Sequence, residues 1–472
     1  MNILLKNGTV INTDGRQKAD VLITGEKIAK IEQNIKPEAD TQVIDCTNLL
    51  VLPGAIDSHT HFEIPIYVGA ENTPYQSADD FFTGTRAAAC GAVTTIIDFV
   101  TPFSDESLMD ALKKRKEAAK VKACIDYSLH MGLIKINDKT IAEMQDVVNA
   151  GVSSFKVFMT YAIRATDDEF QRALTRSREL DALIMVHAEA HEELETLRSQ
   201  FIAQKKTDAW YHYLSRPEAN ETKAVKRAIE LAVIAGAPLY IVHLACDGGM
   251  DAVEKAQLDG HVIYAETCPQ YLHFTSDVYK RPDARNFVCS PPIKGQESQD
   301  ALWAAVKQGD RYSVSFSRNE TEYLSPCFTV ATDHCPFNSS DKDYGKDDFT
   351  MIPNGVMGVE NLYPYMLSKA NEGQISFERA VELCSANPAR IFKLSPRKGA
   401  IEAGADADIV IYDPGKNFTI SQKNMHSTID YTIWEGTKLK GYPIKTYTRG
   451  NLIYNNGEFT GKPGHGRFYP RS

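Results

Sequence analysis

The sequence predicts an α/β protein: a TIM-type (β/α)8 barrel carrying a small β-sandwich formed from both chain ends. Three observations predict it. Eight short, β-branched, apolar runs alternate with longer amphipathic stretches through the middle of the chain. β patterns broken by glycine turns occupy the two ends. Polar residues able to bind a metal recur at the ends of the apolar runs, where a barrel keeps its active site.

Within the first fifty residues, Ile3-Leu4-Leu5, Thr9-Val10-Ile11, Asp20-Val21-Leu22-Ile23 and Lys27-Ile28-Ala29-Lys30-Ile31 read as strands. Asn7-Gly8, Asp14-Gly15 and Gly25 read as the turns between them. The apolar run 48–56 then leads into Asp57-Ser58-His59-Thr60-His61, the first barrel strand. Seven more runs follow at 92–99, 123–129, 154–159, 183–187, 238–243, 262–267 and 328–333. Buried parallel strands have this near-continuous apolar character, and the helical patterns between them supply the crossovers. A doubly wound open sheet is the alternative, but no G-x-G-x-x-G follows the first strand to support it. Past a helix-like stretch at 377–383 the β pattern returns, at 404–413 and on to 452–454. Chain termini of a domain often lie close together, so segments 1–53 and 395–472 are expected to form the sandwich and 54–394 the barrel. The glycine-rich tail 461–467 is expected to be extended or mobile in an isolated subunit.

Composition excludes several classes. The 472 residues are 43% hydrophobic and 24% charged, a globular balance. The net charge of −10 argues against nucleic-acid binding, which needs a basic surface. The nine cysteines form no C-x-x-C pair, and their odd number and scatter argue against a disulfide framework. The N-terminus turns polar too soon for a signal peptide, and no apolar run is long enough to span a bilayer. A cytoplasmic protein without membrane contact is therefore expected.

The candidate site follows from the strand period. His59 and His61 are two residues apart, so both imidazoles point to one side of a strand end. Lys156 lies in the fourth strand, His187 ends the fifth, His243 the sixth and Asp333 the eighth. Any one of the histidines alone reads as a hydrogen-bonded structural residue and Asp333 as a turn, whereas Lys156 inside an apolar run is harder to dismiss, because lysine is almost never buried unpaired. Four of the twelve histidines at matching strand ends, with Asp333, make coincidence a poor account. Imidazole and carboxylate suit a divalent metal such as zinc. An ammonium has donors and no acceptor and is not a ligand. A deprotonated Lys156 that had taken up CO2 would be a carbamate, whose two oxygens could bridge two metals. Two metals roughly 3.5–4 Å apart can acidify a shared water.

The motifs Asp57-Ser58-His59-Thr60-His61-Phe62, 153–161 around Lys156, and Thr332-Asp333-His334-Cys335-Pro336-Phe337 resemble the amidohydrolase superfamily. More narrowly, they are similar to its D-hydantoinase and dihydropyrimidinase branch. Segments 79–85, 266–272, 290–292, 352–355, 385–390 and 404–408 extend the match over essentially the whole chain. The resemblance implies a hydrolase that opens the cyclic amide ring of hydantoins or dihydropyrimidines to N-carbamoyl amino acids. It implies one metal on His59, His61, Lys156 and Asp333, and a second on Lys156, His187 and His243, with Lys156 as the bridging N6-carboxylysine. It also implies attack by a hydroxide bridging the two metals, and proton transfer by Asp333. Tyr161 would help stabilise the oxyanion, and Ser290 and Asn354 would hold the ring amide largely through their main chain. A homotetramer whose C-terminal tail reaches a neighbouring subunit is implied too.

Allantoinase and dihydroorotase are the nearest alternatives. Phe62-Glu63 stands where dihydroorotases usually carry an arginine for the substrate carboxylate, which disfavours that reading. A non-catalytic binding protein of this fold is the alternative of another class, and the complete ligand set disfavours it. Three stretches depart from the family pattern. Segment 312–327, before the eighth strand, is long and is expected opposite the active site. Loop 64–76, with Tyr67 and Tyr75, is expected to shape the pocket for the ring substituent. Cys246-Asp247 follows the sixth strand in place of a serine-containing turn.

Overall fold

The computed structural model describes residues 2–68, 73–103, 105–308, 314–316, 323–325 and 328–471. Eight parallel strands form the barrel: β1 Ala55–Thr60, β2 Val93–Val100, β3 Asp126–Gly132, β4 Ser154–Phe158, β5 Leu183–His187, β6 Leu239–Ile241, β7 Ile263–Thr267 and β8 Phe328–Val330. Each pairs with the next in sequence order. Every residue of β1, β2 and β3 is buried, because helices cover one side and the barrel interior the other.

β3 begins three residues later than its apolar pattern suggests. Ala123 caps the preceding helix Leu108–Lys122, its N–H donating to the Ala119 carbonyl at 2.8 Å, and residues 124–125 form a bend, the Cys124 N–H donating to the Thr85 hydroxyl at 3.0 Å. Buried apolar residues linking a helix to a strand look like part of the strand when only periodicity is read.

The crossover helices start on local signals. Asp80 caps Phe81–Cys90 by accepting from the Phe82 and Thr83 N–H groups, and the Thr83 hydroxyl accepts from the Asp80 N–H. Thr166 and Glu169 do the same for Asp167–Glu179. That helix has three acids in its first turn and Arg176 and Arg178 in its last, complementing its dipole. Gly84 lets the first helix lie directly on the Phe62 ring; a Cβ there would stand 2.1 Å from it.

The barrel closes at the C-terminal end of its strands. The His61 N–H donates to the His334 carbonyl at 2.9 Å, and the His334 N–H to the His59 carbonyl at 3.2 Å. Asp57 accepts from the Thr332 hydroxyl at 2.6 Å and from its N–H at 3.1 Å. Closure thus runs through the residues that flank the candidate ligands.

The chain ends meet in one nine-stranded sheet. Asn2–Asn12, Gly15–Thr24, Lys27–Glu32, Thr41–Asp45 and Leu50–Pro53 come from the N-terminal side, and Ile409–Thr419, Lys438–Thr448, Asn451–Asn455 and Glu458–Phe459 from the other. Leu50–Pro53 pairs antiparallel with Ile409–Thr419 and so joins the two ends. Asn7-Gly8 is not a turn: it is an irregularity within the single strand Asn2–Asn12, with Asn7 at φ +64°. Asp14-Gly15 and Gly25 lie at turns as expected.

The end of the tail lies against the barrel of its own chain. The Tyr127 N–H donates to the Arg467 carbonyl at 2.9 Å, the Tyr469 N–H to Tyr127 at 2.7 Å, and the Arg471 N–H to Gly151 at 2.8 Å. These bonds pin it beneath the N-terminal ends of β3 and β4, on the face opposite the candidate ligands. Beside it lies a buried ionic node. Lys398 reaches Asp126 at 2.8 Å, Asp408 at 2.6 Å and Asp406 at 3.3 Å, tying the barrel to the end sheet.

Loop 64–76 contains a hairpin, Pro65–Val68 with Thr73–Gln76. The Tyr67 side chain and residues 69–72 lie outside the described residues. Of segment 312–327, only the antiparallel pair Val314–Phe316 and Tyr323–Ser325 is described. The expected side of the barrel for that segment therefore lies outside the described residues.

Candidate metal centre

The candidate ligands converge at the C-terminal mouth of the barrel. Asp333 Oδ1 lies 3.1 Å from His61 Nε2 and 3.3 Å from His59 Nε2. One nitrogen of each histidine and one oxygen of Asp333 fall within 4.8 Å of one another. Opposite them, His187 Nδ1 and His243 Nε2 stand 3.1 Å apart. The His59 and His243 ring centroids, 5.4 Å apart, connect the two groups. Phe99 on β2 lies 4.8 Å from both the His59 and the His61 ring, and the Lys156 ammonium stands 5.0 Å from the same ring. All six sequence-predicted ligands thus face one small volume.

Hydrogen bonds fix which nitrogen of His59 and of His187 is left bare. His59 Nδ1 donates to Glu266 at 2.6 Å, so its Nε2 keeps a lone pair, buried and without a hydrogen bond. His187 Nε2 donates to Glu189 at 2.7 Å, which leaves the Nδ1 lone pair facing His243. Glu189 in turn accepts from Arg216 at 2.5 Å. A buried lone pair with nothing to accept from is a cost that a cation removes. The donor set, imidazole nitrogen with carboxylate oxygen, therefore fits a divalent metal.

Charge states agree. Burial, reinforced by the Lys156 ammonium, holds His59 well below the ordinary imidazole value. Burial also lowers His187 and His243, so these three imidazoles are neutral, as ligands must be. Burial pulls Lys156 down to about 8. Burial pushes Asp333 up, but His59, His61 and Lys156 outweigh it, and the carboxyl ionises below its usual range. Burial raises the Tyr161 hydroxyl to about 12, so it remains a proton donor at neutral pH.

Three of these residues hold backbone angles that non-glycine residues rarely take: Tyr161 at φ +70°, His243 at +38° and Asp333 at +52°. Such strain concentrates where geometry matters more than stability. Tyr161 lies beside His187, ring centroids 5.3 Å apart. Asn354 donates its side-chain amide to the Ser290 hydroxyl at 2.8 Å. Tyr161 thus borders the mouth, and the other two expected substrate contacts pair with each other.

Sequence reading gave no role to Glu266, Glu189 or Arg216. Glu266 is fully buried on β7 and gathers four donors: His59 Nδ1, the His243 N–H at 3.1 Å, the Tyr240 hydroxyl at 2.8 Å and the Ser58 hydroxyl at 3.3 Å. The available signal was a carboxylate inside an apolar run. Cys246, the departure after the sixth strand, caps the helix Asp247–Leu258 without a side-chain hydrogen bond to it.

Comparison with known proteins is decisive for the family. A family model, Amidohydrolase family, matches residues 50–453. The chain belongs to the amidohydrolase family. This amidohydrolase is 41% identical over 476 aligned positions to a D-phenylhydantoinase of Escherichia coli, covering 100% of this chain and 98% of the relative. It superimposes on the crystal structure of a dihydropyrimidinase from Brevibacillus agri with a TM-score of 0.93 at 38% identity, covering 100% of this chain and 99% of that one. A D-hydantoinase from Bacillus sp. AR9 gives a TM-score of 0.92 at 37% identity, with the same coverage. The narrower resemblance to the D-hydantoinase and dihydropyrimidinase branch therefore holds along the whole chain. Membership of the family implies a divalent metal centre.

Proposed function

We propose that this amidohydrolase hydrolyses the cyclic amide of hydantoins or dihydropyrimidines, giving N-carbamoyl amino acids. The bare, buried His59 Nε2 beside Asp333 is the observation that carries the reading, together with the relatives' names. His59, His61, Lys156 and Asp333 would hold one ion, and Lys156, His187 and His243 a second, with Lys156 carboxylated and zinc the expected metal. Such a pair supplies a water acidified to a nucleophile at neutral pH and polarises the carbonyl under attack.

The chain's own residues do the rest. Asp333, ionised in its ground state, takes the proton released as water adds to the ring carbonyl carbon and delivers it to the ring nitrogen. The C–N bond breaks, one carboxylate forms and the nitrogen leaves as part of the carbamoyl group. The protonated Tyr161 hydroxyl donates to the carbonyl oxygen as charge builds there. Ser290 and Asn354 orient the ring amide. The resemblance also carries a homotetramer, and the described cysteines, all free and buried, accord with a reducing cytoplasm.

A turnover panel of dihydrouracil, 5-phenylhydantoin, dihydroorotate and allantoin tests the assignment. Ring opening of the first two, dependent on added zinc after chelation, is expected. Turnover confined to allantoin or dihydroorotate, or full activity in a metal-free Lys156→Ala protein, would sink it.

A further inference from the structure

Lys342 is completely buried, and its ammonium meets three carbonyl oxygens rather than a carboxylate: Val288 at 2.9 Å, Pro353 at 2.7 Å and Gly355 at 2.8 Å. An ammonium has three donors, and all three are used. Burying a cation without a counter-charge is costly. The three carbonyls it gathers lie on the two loops that carry Ser290 and Asn354.

Peptide planarity converts this grip into an aim. In a trans peptide the C=O and the following N–H point in opposite directions. The Pro353 carbonyl, turned to Lys342, therefore sends the Asn354 N–H the other way. The next peptide is fixed as well. The Gly355 N–H donates to the Val288 carbonyl at 3.0 Å, which points the Asn354 carbonyl away from that loop. Neither group of the Asn354 main chain makes a hydrogen bond among the described residues. Gly355, at φ +150°, permits the approach: a Cβ there would lie 2.2 Å from the Cys335 carbonyl oxygen. The second loop is set in the same manner. The buried His212, kept neutral by burial, donates Nε2–H to the Cys289 carbonyl at 2.8 Å. That turns the Ser290 N–H outward.

We infer that Lys342 and His212 are positioning residues for ring recognition: by holding the carbonyls of Pro353 and Cys289, they aim the free main-chain groups of Asn354 and Ser290 at the amide of the cyclic substrate. The inference rests on the cyclic-amide reading above and adds the source of its specificity. If main-chain groups hold the ring, side chains that merely stand nearby do not set the fit; whatever orients the peptide planes does.

The test compares wild type with Lys342→Met and His212→Phe on 5-phenylhydantoin and dihydrouracil. Each variant should raise KM about tenfold or more, while kcat changes less than about threefold and bound zinc is unchanged. Unchanged KM, or a fall in kcat and zinc with KM unmoved, overturns the inference. Should either variant fail to fold, wild-type hydrogen exchange decides. In a saturating mixture of dihydrouracil and its ring-opened product, the Asn354 and Ser290 amides should exchange at least about tenfold more slowly than in free enzyme. No slowing at those two amides overturns it. A wild type that opens neither ring defeats the functional reading itself, an outcome distinct from wild-type turnover with an unaltered variant KM.

Discussion

Glu266 decides which face of His59 is available. Its carboxylate accepts the hydrogen bond of Nδ1–H and leaves Nε2 bare at the mouth of the barrel. In Glu266→Gln the amide offers donors as well as one acceptor and no negative charge, so the imidazole loses its strongest orienting partner. Partners of this kind are worth roughly 10–100-fold in metal affinity. Competition with a chelator should show zinc released from the variant at correspondingly lower chelator concentration, with the fold intact by circular dichroism. Lys156 gives a second prediction at this scale. Only the neutral amine takes up CO2, and burial brings its pKa down to about 8. At fixed dissolved CO2, stripped enzyme given zinc should recover activity faster as pH rises, by about tenfold per unit while the ammonium dominates and levelling above that pKa. A flat profile would show that carboxylation of Lys156 does not limit recovery.

Elements place these residues, and their local signals were legible in the sequence. The buried β strands read as apolar runs because both of their faces are covered. His59 and His61 share a face because a strand repeats every two residues. Where two signals overlapped, the reading slipped. Residues 123–125 cap a helix and bend into the strand, and Asn7-Gly8 bends a continuous strand that its turn chemistry suggested breaking. Helix starts are local as well, and the first can be tested. Asp80→Ala removes the acceptor for the Phe82 and Thr83 N–H groups. It should cost roughly 0.5–2 kcal/mol, read as a lower urea midpoint with an unchanged slope. Because this helix packs its glycine on Phe62, next to His61, some loss of bound metal near the midpoint is expected too.

At the scale of the whole molecule, the face opposite the metal centre is as buried as the centre itself. Lys398 bridges Asp126, Asp406 and Asp408, residues contributed by the barrel and by the segment entering the end sheet, with Arg449 on Asp126 and Lys27 on Asp406. The C-terminal tail lies against the same place, with the Arg467 N–H on Asp126 and the buried Arg471 guanidinium on Ser128 and Ser154. Lys398→Met leaves buried Asp408 without its cation and Asp126 and Asp406 with only Arg449 and Lys27, and breaking a buried pair typically costs about 3–5 kcal/mol. Thermal denaturation should show a markedly lower midpoint, and the tail should become the first site of limited proteolysis. An unchanged midpoint would mean that the node contributes nothing to holding the two parts together.

The sequence by itself determined the eight-strand rhythm, the gathering of both chain ends and the six residues facing the metal volume. Each follows from short-range periodicity, or from a barrel's habit of presenting its strand ends on one face. Only the tertiary structure decided which lone pairs are bare, which carboxylates orient them and how the substrate loops are held. Those outcomes depend on partners far apart in the chain: His59 with Glu266, 207 residues on, Thr332 with Asp57, 275 residues back, and Lys342 with Val288, 54 residues back. A hydrogen bond is a matter of distance and direction in space, and local pattern carries neither until the barrel has closed.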